Sequence, residues 1–490
     1  MLNPFLTSFP HYFRYSHVRI DPVHYCELEL ELAEKRRRGS FFNRRNAEPI
    51  DVPELRLRLF MRTVRENPDL GSQVLSLRTP YMTREANKAE LARTVSVLPR
   101  LHFVDLPNGV FHDDPSCYVL KQELMARCPD IRRMSYQQGS EGSFSHIPHA
   151  LLWRNLEMLE LGGLQVDTRL LRFALGSFPN LHDLTLEDMP RLDDSAFSTH
   201  PTIPPFPPVQ NLVMRNTPHV TASGLAGFFA RAPNRQNLLF LTLCNTGVLP
   251  ETLYRILASA PRLIELSYIQ EVSRSFPVEP VPPLASKSLA LLHYEITSAA
   301  ANAAGVGGGG LGGGMKGGLS AGGGAMMSRL STAFDTTQLS KPYYTYLTTS
   351  LVSNSLPSLV DLFVRDANFA DTLLLPPPPR FRPDSIVAGA GSSPFAMLAQ
   401  PLNVYSKGLD ELEWNFTPYN PPTARPGARE SITRPASMRS AHLSAVWGGD
   451  SRKSTLVGNG FGGFLAVPTD EGRPRSSGGF KRESRADLWR

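Results

Sequence analysis

Apolar side chains recur along this chain in a short pattern, Φ-x-x-Φ-x-Φ, in which Φ is apolar and most intervening residues are polar. Several copies follow a proline, as in Pro179-Asn180-Leu181-x-x-Leu184-x-Leu186, and a proline there ends a preceding helix. The alternation at the end of each copy is typical of a strand with one buried face. The clear copies begin at Leu156, Leu181, Val209, Leu238, Leu263, Leu289, Leu359 and Leu409, and looser ones begin at Leu101 and Ile131.

The spacing of these copies identifies them as structural repeats. Between Ile131 and Leu289, consecutive copies lie 25 to 29 residues apart, at the long end of the leucine-rich-repeat period of about 20–29 residues. Such a repeat has room for a strand and a helix, and stacked repeats bury apolar faces that one repeat cannot bury alone. We therefore predict an α/β fold, a leucine-rich-repeat-like solenoid. Its curved parallel sheet forms the concave face and its helices form the convex face.

Segments between the copies have the apolar spacing of helices, most clearly residues 87–97, 169–175, 221–231 and 250–260. Residues 53–65 fit either a strand followed by a helix or a single helix. Pro148 lies between His146 and His149, and we expect the proline to exclude a regular helix there.

The regularity fails after Leu289, and these breaks define the predicted domains. The interval to Leu359 is 70 residues and contains a Gly-rich stretch that lacks the apolar content to fold. The next interval, from Leu359 to Leu409, fits either a degraded repeat or a long loop. We predict an N-terminal cap with a basic loop at residues 1–52, a repeat solenoid at 53–416 with a disordered insert at 298–342, and a disordered basic tail at 417–490.

Composition narrows the class of protein. The net charge of the 490-residue chain is +6, and residues 417–490 carry that entire excess with 12 basic and 6 acidic residues. The basic charge is therefore no sign of a folded nucleic-acid-binding domain. Four cysteines without a CxxC pair exclude a disulfide scaffold and a cysteine-built zinc site. Without a signal peptide or a long apolar run, we expect a cytoplasmic or nuclear protein that does not associate with membranes.

Catalytic motifs are weak in this sequence. Ser320 lies in a G-x-S-x-G match at residues 318–322, but the surrounding polyglycine offers no strand and helix to hold a nucleophile. Lys316 lacks the G-K-[ST] context of a phosphate-binding loop. His146 and His149 are interpreted as loop residues and not as metal ligands. We predict that the protein is not an enzyme and has no cofactor and no metal site.

A binding surface follows from the register of the repeats. The Φ side chains point into the core, and the residues between them point to the exposed face of the sheet. Acidic residues outnumber basic ones at these positions, and Glu295, Glu411 and Glu413 belong to the set. Such a face favours basic segments of protein partners, although the charges also fit a face that is merely solvated. The predicted protein-binding residues are Asp105, Glu160, Asp183, Glu187, Arg215, Phe240, Glu265, His293, Asp361 and Phe363.

The repeats FPNLHDLTLED and APRLIELSYIQ, together with the early segment FPHYFRYSHVRI at residues 9–20, resemble the F-box/leucine-rich-repeat proteins of filamentous fungi. The resemblance covers about residues 9–416. It implies a substrate receptor that docks on the adaptor of an SCF-type ubiquitin ligase. In that family an F-box precedes the segment, whereas eight residues precede it here. We expect the F-box to be missing or truncated, or the chain to be a relative without one.

The functional prediction is a non-enzymatic scaffold for protein–protein interaction, and a candidate substrate-recognition part of a ubiquitin ligase. The alternative is an RNA-associated protein that binds weakly through its Arg/Gly/Ser tail. Serines in basic contexts are candidate phosphorylation sites, where added charge would oppose electrostatic docking. These serines are Ser40, Ser437, Ser454 and Ser484.

Overall fold

A computed structural model describes residues 15–22, 27, 31, 51–150, 152–298, 339–373, 398, 400–409 and 411–421. The chain divides into two compact units, Met1–Ser431 and Ile432–Arg490, and all described residues belong to the first. The Gly-rich stretch with Ser320 and the four candidate phosphorylation serines lie outside the described residues. Within the described ranges, no helix combines the length and apolar character needed to cross a membrane.

The described residues form a mixed α/β fold with one sheet of three strands and one of ten. The smaller sheet consists of β1 His17–Arg19, β2 Ser76–Arg78 and β3 Phe103–Val104. The larger sheet consists of β4 Arg133–Gln137, β5 Met158–Gly162, β6 Asp183–Glu187, β7 Asn211–Arg215, β8 Phe240–Cys244, β9 Glu265–Val272, β10 Leu291–Ser298, β11 Asp361–Val364, β12 Leu402–Ser406 and β13 Asn415–Tyr419. Neighbours in this sheet are also neighbours in sequence, and every pair is parallel except β12 with the antiparallel β13.

Helices occupy most of the connections between strands. The α-helices are α1 Val52–Glu66, α2 Pro68–Gln73, α3 Tyr81–Ala86, α4 Lys88–Val95, α5 Tyr118–Arg127, α6 Glu141–Ala150, α7 Thr168–Leu175, α8 Ala222–Ala230, α9 Ala232–Asn237, α10 Leu253–Ser259, α11 at residues 339–352 and α12 Phe369–Thr372. Short 3₁₀ helices lie at Pro115–Cys117, Asp194–Phe197 and Pro250–Thr252.

The repeat that contains β5 and α7 illustrates how the sequence specifies each unit. Leu159 and Leu161 alternate with polar residues on β5, and both are buried. Asp167 then caps α7, because its side chain accepts a hydrogen bond from the Leu170 N–H at 2.7 Å. Leu171 on the inner side of α7 belongs to the same core cluster as the β5 leucines. The apolar residues of strand and helix thus share one core.

Tight turns end four consecutive strands of the large sheet. Gly163, Asp188, Asn216 and Asn245 follow β5 to β8 and adopt positive φ values of 49° to 67°. The Asn216 side chain donates to Asp188 Oδ1 at 2.8 Å, and Asn245 donates to the Asn216 side chain at 3.4 Å. Gly, Asn and Asp tolerate the left-handed conformation best. The turn therefore depends on the residue type that directly follows each strand.

Most repeats lie where the apolar pattern predicts them, and the α4, α7, α8 and α10 helices match the predicted helical segments. Residues 53–65 form one helix, α1. The expectation for Pro148 was wrong, since this proline lies inside α6. Only two residues of α6 follow Pro148, and the buried Phe144 and Ile147 anchor the helix to the core.

The predicted strand that begins at Leu409 was also wrong. Leu412 is 95% exposed, and residues 407–409 and 411–414 lie between β12 and β13 without forming a strand. The interval before it holds a degraded repeat, β12, in which Leu402 and Val404 are buried. Other predicted boundaries shift as well. Residue 298 ends β10, residues 339–342 begin α11, and residues 417–419 complete β13 because β12 pairs with them.

Candidate binding face

One row of side chains crosses the ten-stranded sheet with one residue from each strand. We call it the middle row. In order from β4 to β13 it consists of Ser135, Glu160, Thr185, Val213, Thr242, Ser267, His293, Phe363, Tyr405 and Phe416. The row is polar or aliphatic up to Ser267 and aromatic from His293 onward. The character of the face therefore changes along its length.

The middle row belongs to the open face, by which we mean the sheet face opposite the buried core residues. On β6, for example, Leu184 and Leu186 are buried, while Asp183, Thr185 and Glu187 are partly exposed. The same alternation occurs on β5 and β7. Residues two positions before and after the middle row share the open face because side chains alternate along a strand.

The structure places all the predicted binding residues except Asp105 on this open face. Asp105 follows β3 in the smaller sheet, and its Oδ2 accepts a hydrogen bond from the Thr79 N–H at 2.7 Å. Phe240 is 38% exposed, which is unusual for a phenylalanine in the middle of a sheet. These positions agree with the register, and their role in binding stays a prediction.

Several charges on the β4–β8 half of the open face are paired with each other. Arg133 donates to Glu160 at 2.6 Å, and Arg215 lies 3.8 Å from Glu187. Asp183 lies 3.0 Å from Nδ1 of the neighbouring His182. This half is consequently less acidic than the sequence suggests, because the acidic side chains have basic neighbours across or along the strands.

The β10–β13 end carries a continuous aromatic cluster. The rings of Phe363 and Tyr405 are nearly parallel, with centroids 4.3 Å apart and planes 7° apart. Phe416 contacts Tyr405 at 5.2 Å, and the Trp414 ring meets Phe363 edge-on at 5.3 Å and His293 at 5.6 Å. Phe416 is 47% exposed. Offset and edge-to-face contacts of this kind are favourable for aromatic rings, and here they leave part of the cluster accessible.

Glu295 lies at the base of this cluster and is buried, contrary to the prediction of an exposed acidic residue. His293 Nε2, Lys407 Nζ and Arg365 lie 2.7, 3.3 and 3.5 Å from its carboxylate. Burial raises the pKa of Glu295, but the hydrogen bond from His293 and the nearby charges outweigh burial and lower the pKa to about 2. Glu295 is therefore ionised, and Lys407 also lies over the Trp414 ring at 4.1 Å.

Ser267, His293 and Glu295 have the hydrogen-bond connectivity of a hydrolytic triad with the two imidazole nitrogens exchanged. Ser267 Oγ lies 3.2 Å from His293 Nδ1, and Glu295 lies 2.7 Å from Nε2. A triad also needs a pair of free N–H donors for the oxyanion. Ser267 lies inside β9, which is paired on both sides, so the neighbouring backbone donors are used by the sheet. The arrangement positions an imidazole, but the described backbone beside Ser267 supplies no oxyanion hole.

Other candidate sites are less developed. A cavity of about 810 Å³ follows the turns at the carboxyl ends of β4 to β7, and side-chain amides from Gln137, Gln138, Gln165 and Asn216 contribute to its lining. His146 and His149 are exposed on α6. In the part of the chain that the structure describes, no three His, Cys, Asp or Glu side chains are arranged to hold a metal ion.

Sequence reasoning missed Lys407, Tyr405 and Phe416. Tyr405 lies in the short alternating segment Leu402–Ser406, whose leading Φ position holds the small Ala399 in place of the Leu, Ile or Val of the other repeats. The alternation of Leu402 and Val404 with polar residues was the available signal. Phe416 is on an antiparallel strand outside the repeat period, so the period alone does not indicate its position.

Comparisons with known proteins give little further information. No family model matches the chain, and no curated protein matches it. Among solved structures, the chain is similar to one in the crystal structure of the Rad7 and Elc1 complex in yeast. The two chains are 14% identical, with a TM-score of 0.37 over 63% of this chain and 67% of that chain.

Proposed function

We propose that the protein is a leucine-rich-repeat-like solenoid that acts as a non-enzymatic scaffold and binds a protein partner on its open face. The middle row is the observation that carries this proposal. It brings one side chain from each of ten strands into a single line and ends in a partly exposed aromatic cluster. Exposed aromatic groups flanked by polar and charged residues are typical of protein-interaction surfaces.

The repeat arrangement supports the solenoid part of the proposal. Strands β4 to β12 follow one another in sequence order and pair in parallel, and helices occupy most of the connections. Stacking of strand–helix units produces this order when each unit contacts mainly the next. A solenoid offers an extended face, whereas a compact enzyme usually offers a deep pocket.

We further propose that the protein is related to the fungal F-box/leucine-rich-repeat proteins and recognises substrates for an SCF-type ubiquitin ligase. The repeats FPNLHDLTLED and APRLIELSYIQ support this relation. Their residues Leu184, Leu186, Leu266 and Tyr268 occupy equivalent buried positions on β6 and β9. Binding of RNA by residues 417–490 gains no support, because only positions 417–421 of that segment are described.

The test uses the full chain with an affinity tag. Partners from a cell extract are identified by mass spectrometry for the wild type and for the double variant Glu160→Lys, Asp183→Lys. A matched control is Glu123→Lys on α5, which makes the same kind of charge change away from the sheet. We expect a partner that is recovered with the wild type and the control but lost with the double variant, followed by direct titration of the purified partner.

The outcome separates the two parts of the proposal. Equal partner recovery by all three proteins contradicts binding on the open face. A partner set that depends on the open face but contains no ubiquitin-ligase adaptor contradicts the ligase role and leaves a plain binding scaffold. Recovery of the adaptor, reconstituted from purified components, supports the ligase role.

A further inference from the structure

Two carboxylates that share one register position on the open face form no ion pair within the described residues. These are Glu265 on β9 and Asp361 on β11, which flank Leu291 on β10 at the same register position. Asp361 Oδ1 accepts a hydrogen bond from the Asn403 side chain at 3.0 Å. Since adjacent strands lie about 4.8 Å apart, the two carboxylate-bearing positions are about 9.5 Å apart.

A flat apolar surface adjoins these carboxylates. Phe363 lies two residues beyond Asp361 on β11 and shares the open face with it. Its ring stacks on Tyr405 and contacts His293, so the aromatic surface continues across three strands. Leu291 is partly exposed between the carboxylates. The site therefore combines two anionic groups with an apolar and aromatic floor.

Two anionic groups beside an aromatic floor fit an arginine side chain better than other side chains. A guanidinium above Leu291 would lie between the two carboxylates, and its five N–H donors allow it to bond both of them at once. Its planar cation also stacks on aromatic rings, and its methylene stem covers apolar surface. The compact, strongly hydrated ammonium group of lysine fits such a flat aromatic site less well.

The surroundings of Glu265 favour the same ligand. Burial raises the pKa of this carboxyl, and the charge of His293 only partly opposes that effect. A partly desolvated carboxylate without an ion-pair partner gains from an incoming cation, because the cation restores the stabilisation that water no longer supplies. The nearby cations Arg365 and Lys407 are already directed to Glu295.

We propose that Glu265, Leu291, Asp361 and Phe363 form a site that binds an arginine side chain of a protein partner. The inference rests on the proposed function, since it names the chemistry by which the open face recognises its partner. It also places one anchor of that recognition at the aromatic end of the sheet, in addition to the ion-paired half.

The experiment begins with a phage-displayed library of random heptapeptides selected on the immobilised full-length protein. Selected peptides are synthesised with a fluorescent label and titrated by anisotropy, each with its arginine intact, replaced by lysine, or replaced by the uncharged isostere citrulline. We expect arginine to be enriched. We expect citrulline to weaken binding by roughly tenfold or more, and lysine to weaken it by a smaller factor.

Variants of the protein locate the site. Glu265→Gln with Asp361→Asn keeps the size of both side chains, removes both charges, and is expected to weaken arginine peptides by about tenfold. Phe363→Leu tests the aromatic surface while it keeps apolar bulk. Glu123→Gln on α5 is the matched charge control and should leave affinity within about twofold. Thermal unfolding confirms that each variant is folded.

Each result has a defined meaning. Peptides that bind with the same affinity after citrulline replacement, or that bind the double variant as tightly as the wild type, overturn the arginine site while the scaffold function stands. Failure to select any arginine-containing peptide overturns the arginine site, whereas the scaffold function is decided separately by the recovery of partners from cell extract. Loss of affinity in the double variant for arginine peptides but not for their citrulline forms supports the site directly.

Discussion

The carboxylate of Glu295 lies 2.7 Å from Nε2 of His293, two residues earlier on the same strand. Glu295 is almost fully buried, and the cationic groups of Lys407 and Arg365 complete its surroundings. Lys407 directly follows β12 and Arg365 directly follows β11, and both residues are far from β10 in sequence. One buried anion therefore ties together three adjacent strands at the aromatic end of the sheet.

The first prediction concerns the pH dependence that Glu295 produces. The pKa of this carboxyl is lowered from 4.5 to about 2 in the folded protein, which corresponds to about 3 kcal/mol of stabilisation. That stabilisation is fully present above the unfolded pKa and is lost as the pH falls from about 4.5 to about 2. We expect Glu295→Gln to lower the free energy of unfolding by about 3 kcal/mol at pH 6 and by much less near pH 3.

Urea unfolding of both proteins, followed by circular dichroism at several pH values, measures this difference. Titrating groups that do not contact Glu295 act equally on wild type and variant, so they cancel in the comparison. The exposed pair of Glu160 with Arg133 supplies the control, because Glu160→Gln should cost less than about 1 kcal/mol at either pH. A difference for Glu295→Gln that does not change with pH would contradict the assignment.

The second prediction concerns Arg172, which is 2% exposed on α7. Its guanidinium donates to the carbonyl oxygens of Pro204 and Ser198, both at 2.7 Å, and to that of Ile203 at 3.4 Å. Methionine keeps the apolar stem but supplies no donors, so we expect Arg172→Met to lower the free energy of unfolding by about 3 kcal/mol. Arg169→Met, at an exposed position on the same helix, should change it by less than about 0.5 kcal/mol.

Chemical denaturation of the two variants tests the role of the guanidinium. Equal stability of Arg172→Met and Arg169→Met would mean that the carbonyl oxygens at residues 198–204 find other donors. Limited proteolysis gives a second readout, since the loop at residues 198–204 should be cleaved faster only in Arg172→Met.

The third prediction separates backbone from side-chain effects at Asn216, whose φ is +50°. Alanine suffers the penalty of the left-handed conformation and loses the bonds to Asp188 and Asn245, so we expect Asn216→Ala to cost about 2 kcal/mol. Asn216→Gly relieves the backbone penalty and should cost about 1 kcal/mol. Equal unfolding free energies for the two variants would show that the conformation contributes nothing.

The fourth prediction compares two glycines. A Cβ on Gly247 would overlap the Pro218 carbonyl oxygen and lie 2.8 Å from the Val220 carbonyl oxygen. Both are backbone atoms, which cannot shift as easily as the end of a side chain. Gly142, in the first turn of α6, has no neighbouring atom within 4 Å of the same position. We expect Gly247→Ala to destabilise the protein by about 1–3 kcal/mol and Gly142→Ala to stabilise it by about 0.5–1 kcal/mol. Differential scanning calorimetry should show melting temperatures that move in opposite directions.

The fifth prediction addresses Ser267 and its contact with His293. Because the backbone donors beside Ser267 serve the sheet, we expect an active-site-directed fluorophosphonate to label wild type and Ser267→Ala equally. A known serine hydrolase in the same reaction confirms that the probe is active. Label that disappears only in Ser267→Ala would contradict the proposal of a non-enzymatic scaffold.

The repeat period predicted much of the large sheet, since Leu159, Leu184, Leu212 and Leu241 occur at nearly constant intervals and are all buried. The period gave a wrong prediction where a segment has the apolar pattern but its central apolar residue does not pack against the rest of the fold. Leu412 occupies a Φ position and is 95% exposed. Local pattern determines which face a strand buries, but whether a segment joins the sheet depends on its neighbours.

On the candidate face, too, local pattern determines some side-chain positions and contacts with distant segments determine others. Glu265 and Asp361 lie on the open face as alternation requires, because the register of a strand determines the direction of each side chain. Alternation also predicts that Glu295 is exposed, yet this residue is buried. Its burial depends on Lys407 and Arg365, which lie 70 or more residues away in sequence, and such long-range contacts leave no periodic signal.

The middle row also sets the distances between side-chain positions along the open face. Its ten positions span about 43 Å at a strand spacing of about 4.8 Å, whereas side chains on one side of an extended peptide repeat about every 6.7 Å. The two spacings do not match, so a peptide that runs across the strands meets equivalent positions only at wide intervals. From Glu160 on β5 to Phe363 on β11 the distance is about 29 Å, or about nine extended residues. A partner that engages both ends must therefore carry two anchor residues at that separation, and shortening its intervening segment would uncouple them.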